Sequence, residues 1–586
     1  MTVNASAPKQ SLFQQIKGFD RVFWLCIFME LMERMAYYGV RLIVPVYLVL
    51  GKSAGGPGLS HVEKATVLAA WAAMQSWLPT FAGGFSDRFG YKKTIGVSVF
   101  LKTFGYAGMA LATDFWTMVL GTQLLAAGTG LFKPGIQGTM AHSIAKIPGR
   151  ESMGWGLFYQ SVNIGAAISA YVPALTRDMY PEDDPFRWHS VFIACSLIVL
   201  SNIMVLFFYE DPKDERAFEK DTRSAGRLML DSFVDLFTSP RLLFFIFISA
   251  GFWFAFHQLF DMLPNYVDDW TDSTGIKRFF GDLFGIESWV AEANAGQNIP
   301  QERLLNINAF MIMFTMFIFA WASSFVRVLT STILGMLISC LAFGLFVVSA
   351  DVTVILGGVV LFTVGEMLCS PKRQEYMASL APPGKRALYL GYANMPDGIG
   401  WVLGNLAAGG VYEEKGDKVN LTRQFLQGQD TPVADTAART WMDSIVALQA
   451  KVGALADAAK AEALKAAGSS AEALKEIGDN IAKALKLGAD TPLDALVAKA
   501  QVAVNGGNEA LVAQILPRAD VMAYAQKAVP VLPNGTETTT NSLRDYLFTT
   551  YSPGQVWTLF IVVGLISTVL MVVYDYFVRR NPAKSS

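Results

Sequence analysis

The chain has 586 residues, of which 53% are hydrophobic and only 16% charged, with a formal net charge of -2 and a mean hydropathy of +0.36. An average soluble domain carries about 25% charged residues, so this composition excludes an ordinary soluble enzyme and indicates a polytopic membrane protein surrounded by lipid. The near-neutral balance gives no indication of a nucleic-acid partner. Cys26, Cys195, Cys340 and Cys369 all fall in apolar runs without CxxC spacing, and read as reduced packing residues.

A bilayer core needs about 20 apolar residues per helix. That criterion predicts twelve spans, at residues 21–50, 64–85, 93–112, 115–143, 152–175, 188–209, 241–265, 304–325, 329–349, 352–377, 387–411 and 554–578. Basic residues mark alternate connections: Arg88, Lys92 and Lys93, then Lys146 and Arg150, then the cluster from Lys213 to Arg227, then Lys372, Arg373, Lys385 and Arg386, and finally Arg579, Arg580 and Lys584. The positive-inside rule puts them all on one face if both termini are cytoplasmic, as expected of an integral protein of the cell (inner) membrane.

The first span contains ELMERMAYYGVR, residues 30–41. Each ionised group costs about 2.5–3.5 kcal/mol at mid-membrane, so two glutamates and two arginines require a reason. At 100° per residue, Glu30, Glu33, Arg34, Tyr37, Tyr38 and Arg41 fall within about 140° of arc and form one polar face. A self-paired structural network and a functional site are both open readings of that face. After the second span comes GGFSDRFGYKK, residues 83–93, which resembles the G-x-x-x-D-R-x-G-R-R loop signature of the major facilitator superfamily, with Tyr91-Lys92-Lys93 in place of the usual basic tail. The fourth span places Lys133 immediately before Pro134. The fifth sets Tyr159 and Asn163 one turn apart, and the tenth carries Glu366 five residues ahead of Pro371. A lysine in one half and a glutamate in the other suit a zwitterion.

The spans divide six and six, as in transporters built from repeats. The expected organisation is an N-terminal half (1–209), a charged cytoplasmic linker (210–240), helices 7–11 (241–411), an extracytoplasmic insertion (412–553) and helix 12 with a cytoplasmic tail (554–586). Residues 271–300, with Phe284 and Trp289, predict a short interfacial helix outside the cell. In the insertion, Trp441, Ile445, Leu448, Val452 and Leu455 are spaced four and three apart and predict an amphipathic helix. Ser470 and Asp490 read as helix starts and Gly468, Gly478 and Gly488 as stops, giving a helical hairpin or bundle. It serves either as a passive cap or as a docking surface for an extracytoplasmic partner. No metal-ligand spacing or nucleophile triad is present in the sequence, so no cofactor is expected.

Glu30-Leu31-Met32-Glu33-Arg34 with Tyr37-Tyr38-Gly39 resembles the E-x-x-E-R-x-x-Y-Y-G signature of the proton-dependent oligopeptide transporters. GTGLFKP (128–134), FYQSVNIG (158–165) and Gly365-Glu366 with Ser370-Pro371 resemble three further motifs of that family, in order. The resemblance implies an all-α fold of twelve helices and a symporter for di- or tripeptides coupled to protons. It implies that Arg34, Arg41 and Lys133 meet the peptide carboxylate, Glu366 the amino terminus, and Tyr37, Tyr38 and Asn163 the backbone. It assigns proton coupling to Glu30, Glu33, Arg34 and Lys133. The chain departs from the pattern in span seven, where His257 stands in place of an acid beside Gln258, and in span eleven, where Ala393 replaces a tryptophan and Asp397 is an added acid. His257 is either a further proton site or a hydrogen-bonded structural residue. A transporter of another small zwitterion or organic anion, and a sensor that binds without flux, are the alternatives.

Overall fold

The computed structural model describes residues 18–51, 54–147, 151–181, 184–211, 240–380, 392–427 and 543–580, and these are helical throughout apart from turns and connections. Twelve helices of seventeen residues or more occur among them. They are α1 (Arg21–Arg41), α2 (His61–Phe89), α3 (Tyr91–Ala110), α4 (Phe115–Ala145), α5 (Glu151–Ile168), α6 (Phe186–Phe207), α7 (Pro240–Phe256), α8 (Ile307–Ser324), α9 (Val328–Val348), α10 (Val352–Leu380), α11 (Met395–Lys415) and α12 (Thr558–Arg580). Seven helical stretches, including α4, α6, α7, α8, α9, α10 and α12, are long and apolar enough to cross a membrane. Helices α1, α2, α3, α5 and α11 are not among the seven; α1 holds two glutamates and two interior arginines, α3 an interior lysine.

Local sequence sets the ends of these helices. Asp20 caps α1 by accepting from the Phe23 N–H at 2.9 Å. Ser60 and Glu63 close a reciprocal capping box on α2, and Asp114 with Thr117 does the same on α4. Between α2 and α3 the chain turns at Gly90, whose φ of 91° favours glycine. Asp211, just after α6, accepts from the Lys92 N–H at 2.7 Å, and Lys92 Nζ donates to the Tyr209 carbonyl at 2.7 Å.

Packing follows a repeated pattern. The closely packed pairs α1·α5, α1·α6, α2·α4, α3·α4 and α3·α6 recur six helices later as α7·α11, α7·α12, α8·α10, α9·α10 and α9·α12. The pairs that join the two sets, α2·α11 and α5·α8, map onto each other under the same shift. Two separate apolar cores match this arrangement, one drawn from Phe19 to Tyr209 and the other from Leu242 to Tyr574. Helices α1 and α7, which correspond, are both interrupted: α1 gives way after Arg41 to the turn Val44–Tyr47, and α7 breaks at His257 into Gln258–Asp261 and Leu263–Trp270. Breaks in spanning helices are tolerated where neighbours satisfy the freed backbone groups.

Lys372 and Arg373, at the end of the tenth predicted span, lie inside α10, which continues past Pro371; there Lys372 pairs with Glu375 at 2.8 Å and Arg373 sits 4.0 Å from the centre of the Trp253 ring. Residues at both ends of the expected 412–553 insertion belong to the helical body. Helix α11 runs to Lys415, and the helix Lys418–Gln427 packs against Leu543–Tyr551 through Phe425 and Tyr546, whose rings lie 5.6 Å apart. Trp270 Nε1 donates to the Gly416 carbonyl at 2.8 Å. The helices expected around Trp441, Ser470 and Asp490 lie outside the described residues. Residues 271–300 form two short helices, Thr274–Phe284 and Glu287–Asn294, with Phe284 exposed and Trp289 half-buried.

Three outcomes follow from this packing. A Cβ on Gly335 would lie 2.5 Å from the Gly365 carbonyl oxygen, so Gly335→Leu forces α9 from α10 and should lower stability by about 1–3 kcal/mol in a detergent melt. Replacing residues 418–542 by a short linker removes Leu421 and Phe425, exposes Leu543 and Leu547 of the same core, and should lower the melting temperature clearly. Asp20 lies outside the membrane-spanning segments. Burial raises its pKa, but the Lys146 ammonium at 2.7 Å and the Phe23 N–H outweigh this and hold it below the usual carboxylate range. A depressed folded-state pKa gives stability that is present above the unfolded value and lost as pH falls through the folded one. The Asp20→Asn variant should therefore lose less melting temperature than wild type on acidification from neutral pH to about pH 3.

Candidate functional site

The polar face of α1 is buried as expected. Glu33 is fully enclosed and bonded on both oxygens: Arg34 takes Oε2, and Lys102 Nζ of α3 meets Oε1 at 3.0 Å. Glu30, one turn earlier, has Oε1 at 3.3 Å from Arg34 Nε, while its buried Oε2 has no hydrogen-bond partner. The Arg34 guanidinium lies 4.9 Å from the centre of the Tyr37 ring. Tyr37 accepts a hydrogen bond from Gln75 Nε2 at 2.9 Å, and Gln75 in turn accepts from Trp71 Nε1. Lys133 of α4 is half-buried and within electrostatic reach of Arg34, Glu30 and Asp397; among the described residues no carboxylate lies within 4 Å of it.

Arg41 points elsewhere. It forms a buried ion pair with Asp261 of the broken α7 extension, and its guanidinium lies 5.0 Å from the Trp401 ring of α11. Trp401 Nε1 donates to Asp261 Oδ2 at 2.6 Å and stacks on His257 with ring centres 4.4 Å apart. His257 Nε2 meets Asp397 Oδ1 at 3.0 Å, and Arg373 NH1 is 3.6 Å from the same oxygen. His257 thus sits in a C-terminal cluster rather than beside Glu30 and Glu33, with Asp397 as the link toward Lys133.

Glu366 of α10 is half-buried. Asn308 Nδ2 of α8 donates to its Oε2 at 2.9 Å and also to Thr363 Oγ1 at 2.9 Å. Tyr38 lies within electrostatic reach of both Arg34 and Glu366, and Tyr159 near Glu366, so the tyrosines stand between the basic and acidic groups. Asn163 Nδ2 donates to the Tyr159 carbonyl of its own helix at 3.0 Å.

The structure therefore keeps Glu30, Glu33, Arg34 and Tyr37 together on α1 with Lys133 in electrostatic reach, places Tyr38 within reach of both Arg34 and Glu366, sends Arg41 to Asp261, and binds Asn163 to its own backbone. Lys102, Asp261, Asn308 and Trp401 are the partners that sequence reasoning missed. A charge inside an apolar run marks Lys102 and Asp261; no sequence signal marks Asn308. A cavity of about 240 Å³ lies beyond the Arg41 end of α1, lined by Val46, Arg177, Trp188, Gln301 and Glu302, and not at the polar stripe.

Polar contacts between the two sets of helices are concentrated at that same end. Lys64 Nζ meets Asn265 Oδ1 at 2.8 Å, His61 Nε2 is 3.5 Å from Asp417, and Arg177 pairs with Glu302 at 2.5 Å while Arg303 pairs with Asp178. Gln301 Nε2 donates at 2.8 Å to the Leu42 carbonyl freed by the break after α1.

With the fold and these residues in place, comparison with known proteins is informative. The sequence model of the Major Facilitator Superfamily matches residues 23–405. The chain belongs to the Major Facilitator Superfamily. Membership places it among membrane transporters rather than enzymes. Similar proteins include the dipeptide and tripeptide permease A of Proteus mirabilis (strain HI4320), 28% identical over 34% of this chain and 40% of the relative. The di-/tripeptide transporter of Lactococcus lactis subsp. cremoris is 28% identical over 29% of this chain and 34% of its own. These matches span two fifths or less of the relatives' length. The crystal structure of peptide transporter POT in complex with sulfate superposes with a TM-score of 0.54 at 19% identity, covering 70% of this chain and 92% of that one. A POT family transporter in complex with 5-aminolevulinic acid gives 0.55 at 16% identity, covering 70% and 93%. At such identities the likeness shows the fold: this superfamily member has the architecture of those transporters.

Removing one partner of a buried ion pair strands the other. Asp261→Ala should destabilise the protein by about 3–5 kcal/mol in a detergent melt, and the double variant Asp261→Ala/Arg41→Met should recover most of that loss.

Proposed function

We propose that this protein is a proton-coupled symporter that takes up di- or tripeptides across the cell (inner) membrane by alternating access, with both termini cytoplasmic and all twelve helices spanning. One observation carries the reading. Tyr38 of the first six helices lies within electrostatic reach of both Arg34 and Glu366, and Tyr159 within reach of Glu366, so a basic group of one set and the acid of the other act on the same tyrosine, with Lys133 in reach of Arg34. A short peptide is a zwitterion whose carboxylate and ammonium are separated by one or two residues, and opposed charges on two moving bodies bind such a molecule only when both bodies approach. Tyr37, Tyr38 and Asn163 are the candidate partners for its amide groups; Asn163 would exchange its bond to the Tyr159 carbonyl for one to substrate.

Proton coupling rests on Glu30, Glu33, Arg34 and Lys133. A carboxylate beside a guanidinium is held ionised, and its protonation frees the guanidinium for another anion, so proton and peptide carboxylate compete for one network. His257 is a further candidate through Asp397. One proton entering across 100 mV supplies about 2.3 kcal/mol, enough for a concentration ratio near ~50. Under the proposed orientation the Lys64, Arg177 and Asp178 contacts close the outer face, so the structure corresponds to a state closed to the outside. The expected domain division stands as part of the same proposal, with residues 412–553 outside the cell, available to an extracytoplasmic partner, and lipid around the helices.

A different small zwitterion or organic anion is the second reading, favoured by Arg41, which the Asp261 pair removes from the peptide carboxylate. A thermal-shift screen of purified protein against dipeptides, tripeptides, amino acids and organic anions separates them, because a ligand stabilises the state that it binds. Peptide-specific shifts are expected, and liposome uptake then excludes a sensor that binds without flux. Lys133→Ala and Glu366→Ala should each weaken dipeptide binding by about 2–5 kcal/mol if the charges are desolvated. Wild-type affinity in both variants would reject the site.

A further inference from the structure

Lys102 is the group that this function leaves unexplained. It lies in the interior of α3, fully buried, between a carboxylate and an aromatic ring: Nζ is 3.0 Å from Glu33 Oε1 and 3.7 Å from the centre of the Phe132 ring of α4. Its alkyl stem has a built seat. A Cβ on Gly128 of α4 would come within 2.5 Å of Lys102 Cγ, and Ser98 Oγ donates to the Gly128 carbonyl at 2.6 Å, holding α3 against α4 at this level. A lysine costs more than any apolar residue at such a position, so its charge must serve the pair.

The two glutamates of the α1 stripe are consequently in different positions. Glu33 receives a cation on each oxygen, Arg34 from its own helix and Lys102 from α3. Glu30 shares only Arg34, and its buried Oε2 is unbonded. The charged and titratable groups around them are Cys26, Arg34, Tyr37 and Tyr38 on α1, Lys102 and Tyr106 on α3, Lys133 on α4, Cys195 on α6 and, through Lys133, Asp397 on α11. Protonating Glu33 would strand the Lys102 ammonium in an enclosed site. Protonating Glu30 leaves Arg34 its contact with Glu33 and supplies a hydrogen to a carboxyl group that lacks a partner.

We propose that Lys102 is a positioning residue, an internal counter-ion that keeps Glu33 ionised between α1, α3 and α4, so that the exchangeable proton of the network resides on Glu30. This rests on the proton-coupled reading for its role in transport, but not for the charge arrangement itself.

The test replaces both members of the pair by neutral groups. Singly, Lys102→Met and Glu33→Gln should each lower the melting temperature by several degrees; together they should restore it toward wild type. Acid-minus-neutral infrared difference spectra of the purified protein report a buried carboxyl gaining a proton. That band should lose a component in Glu30→Gln and should gain one in Lys102→Met, where Glu33 has lost its counter-ion from α3. A band unchanged by Glu30→Gln, or no added component in Lys102→Met, overturns the proposal. Lys102→Gln is a second neutral variant if the first does not fold, and decides in the same way. In liposomes Glu30→Gln should lose proton-driven dipeptide accumulation while retaining counterflow. Failure of every protein, wild type included, to accumulate peptide would refute the peptide reading alone, since melting and infrared do not involve substrate.

Discussion

An ionised side chain inside an apolar bundle is stable only while an opposite charge or a set of donors stays within bonding distance, because the desolvation of each ion is several kcal/mol. That constraint organises this molecule. Glu33 is matched by Arg34 and Lys102, Asp261 by Arg41 and the Trp401 N–H, and Asp397 by His257 and Arg373. One buried oxygen of Glu30 in the stripe lacks a hydrogen-bond partner, and half-buried Lys133 of α4 has no carboxylate within 4 Å among the described residues. Groups in that condition gain most from a ligand, so it is to incomplete pairing, more than to the number of charges, that the proposed function assigns substrate and proton chemistry.

The ion pairs need helices that approach closely and reproducibly, and the repeated packing provides this. Glycine contacts close α9 on α10, and Gly128 gives Lys102 its seat between α3 and α4. Lys133 and Glu366 lie on α4 and α10, which occupy equivalent places in the repeat and each carry an interior proline, Pro134 and Pro371. On the proposed function, a site made from equivalent helices of two similar bodies is asymmetric only in its side chains, and the asymmetry is one of sign, with a cation on one side and an acid on the other.

Much of this was legible in the sequence. Length and hydropathy place each long helix near its predicted span, and the i, i+3, i+4 spacing of Glu30, Glu33, Arg34 and Tyr37 defines a buried face before any partner is known. The partners were harder to see. Asp261, Trp401 and Asn308 find their roles through contacts between helices remote in the chain, which periodicity does not encode. Lys102 had a visible signal, a lone charge amid twenty otherwise apolar or small polar residues, that a count of spans passes over. Arg373 falls within its predicted span, but its partners, the Trp253 ring and Asp397, lie on helices remote in the chain and leave no sign in the sequence.

The hold of Asp211 on the α2–α3 turn has a mechanical consequence. The chain leaves the first six helices from a fixed point, and 29 residue steps separate Asp211 from Pro240, where α7 begins. Fully extended, such a length reaches roughly 100 Å, and wound as a helix still about 43 Å. Neighbouring helix axes are about 8–10 Å apart. A covalent connection of that length does not by itself fix how the two bodies meet. Their fit is set instead by the surfaces that touch, α2 against α11 and α5 against α8, together with the polar cross-contacts at the opposite end, from Lys64 with Asn265 to Arg177 with Glu302.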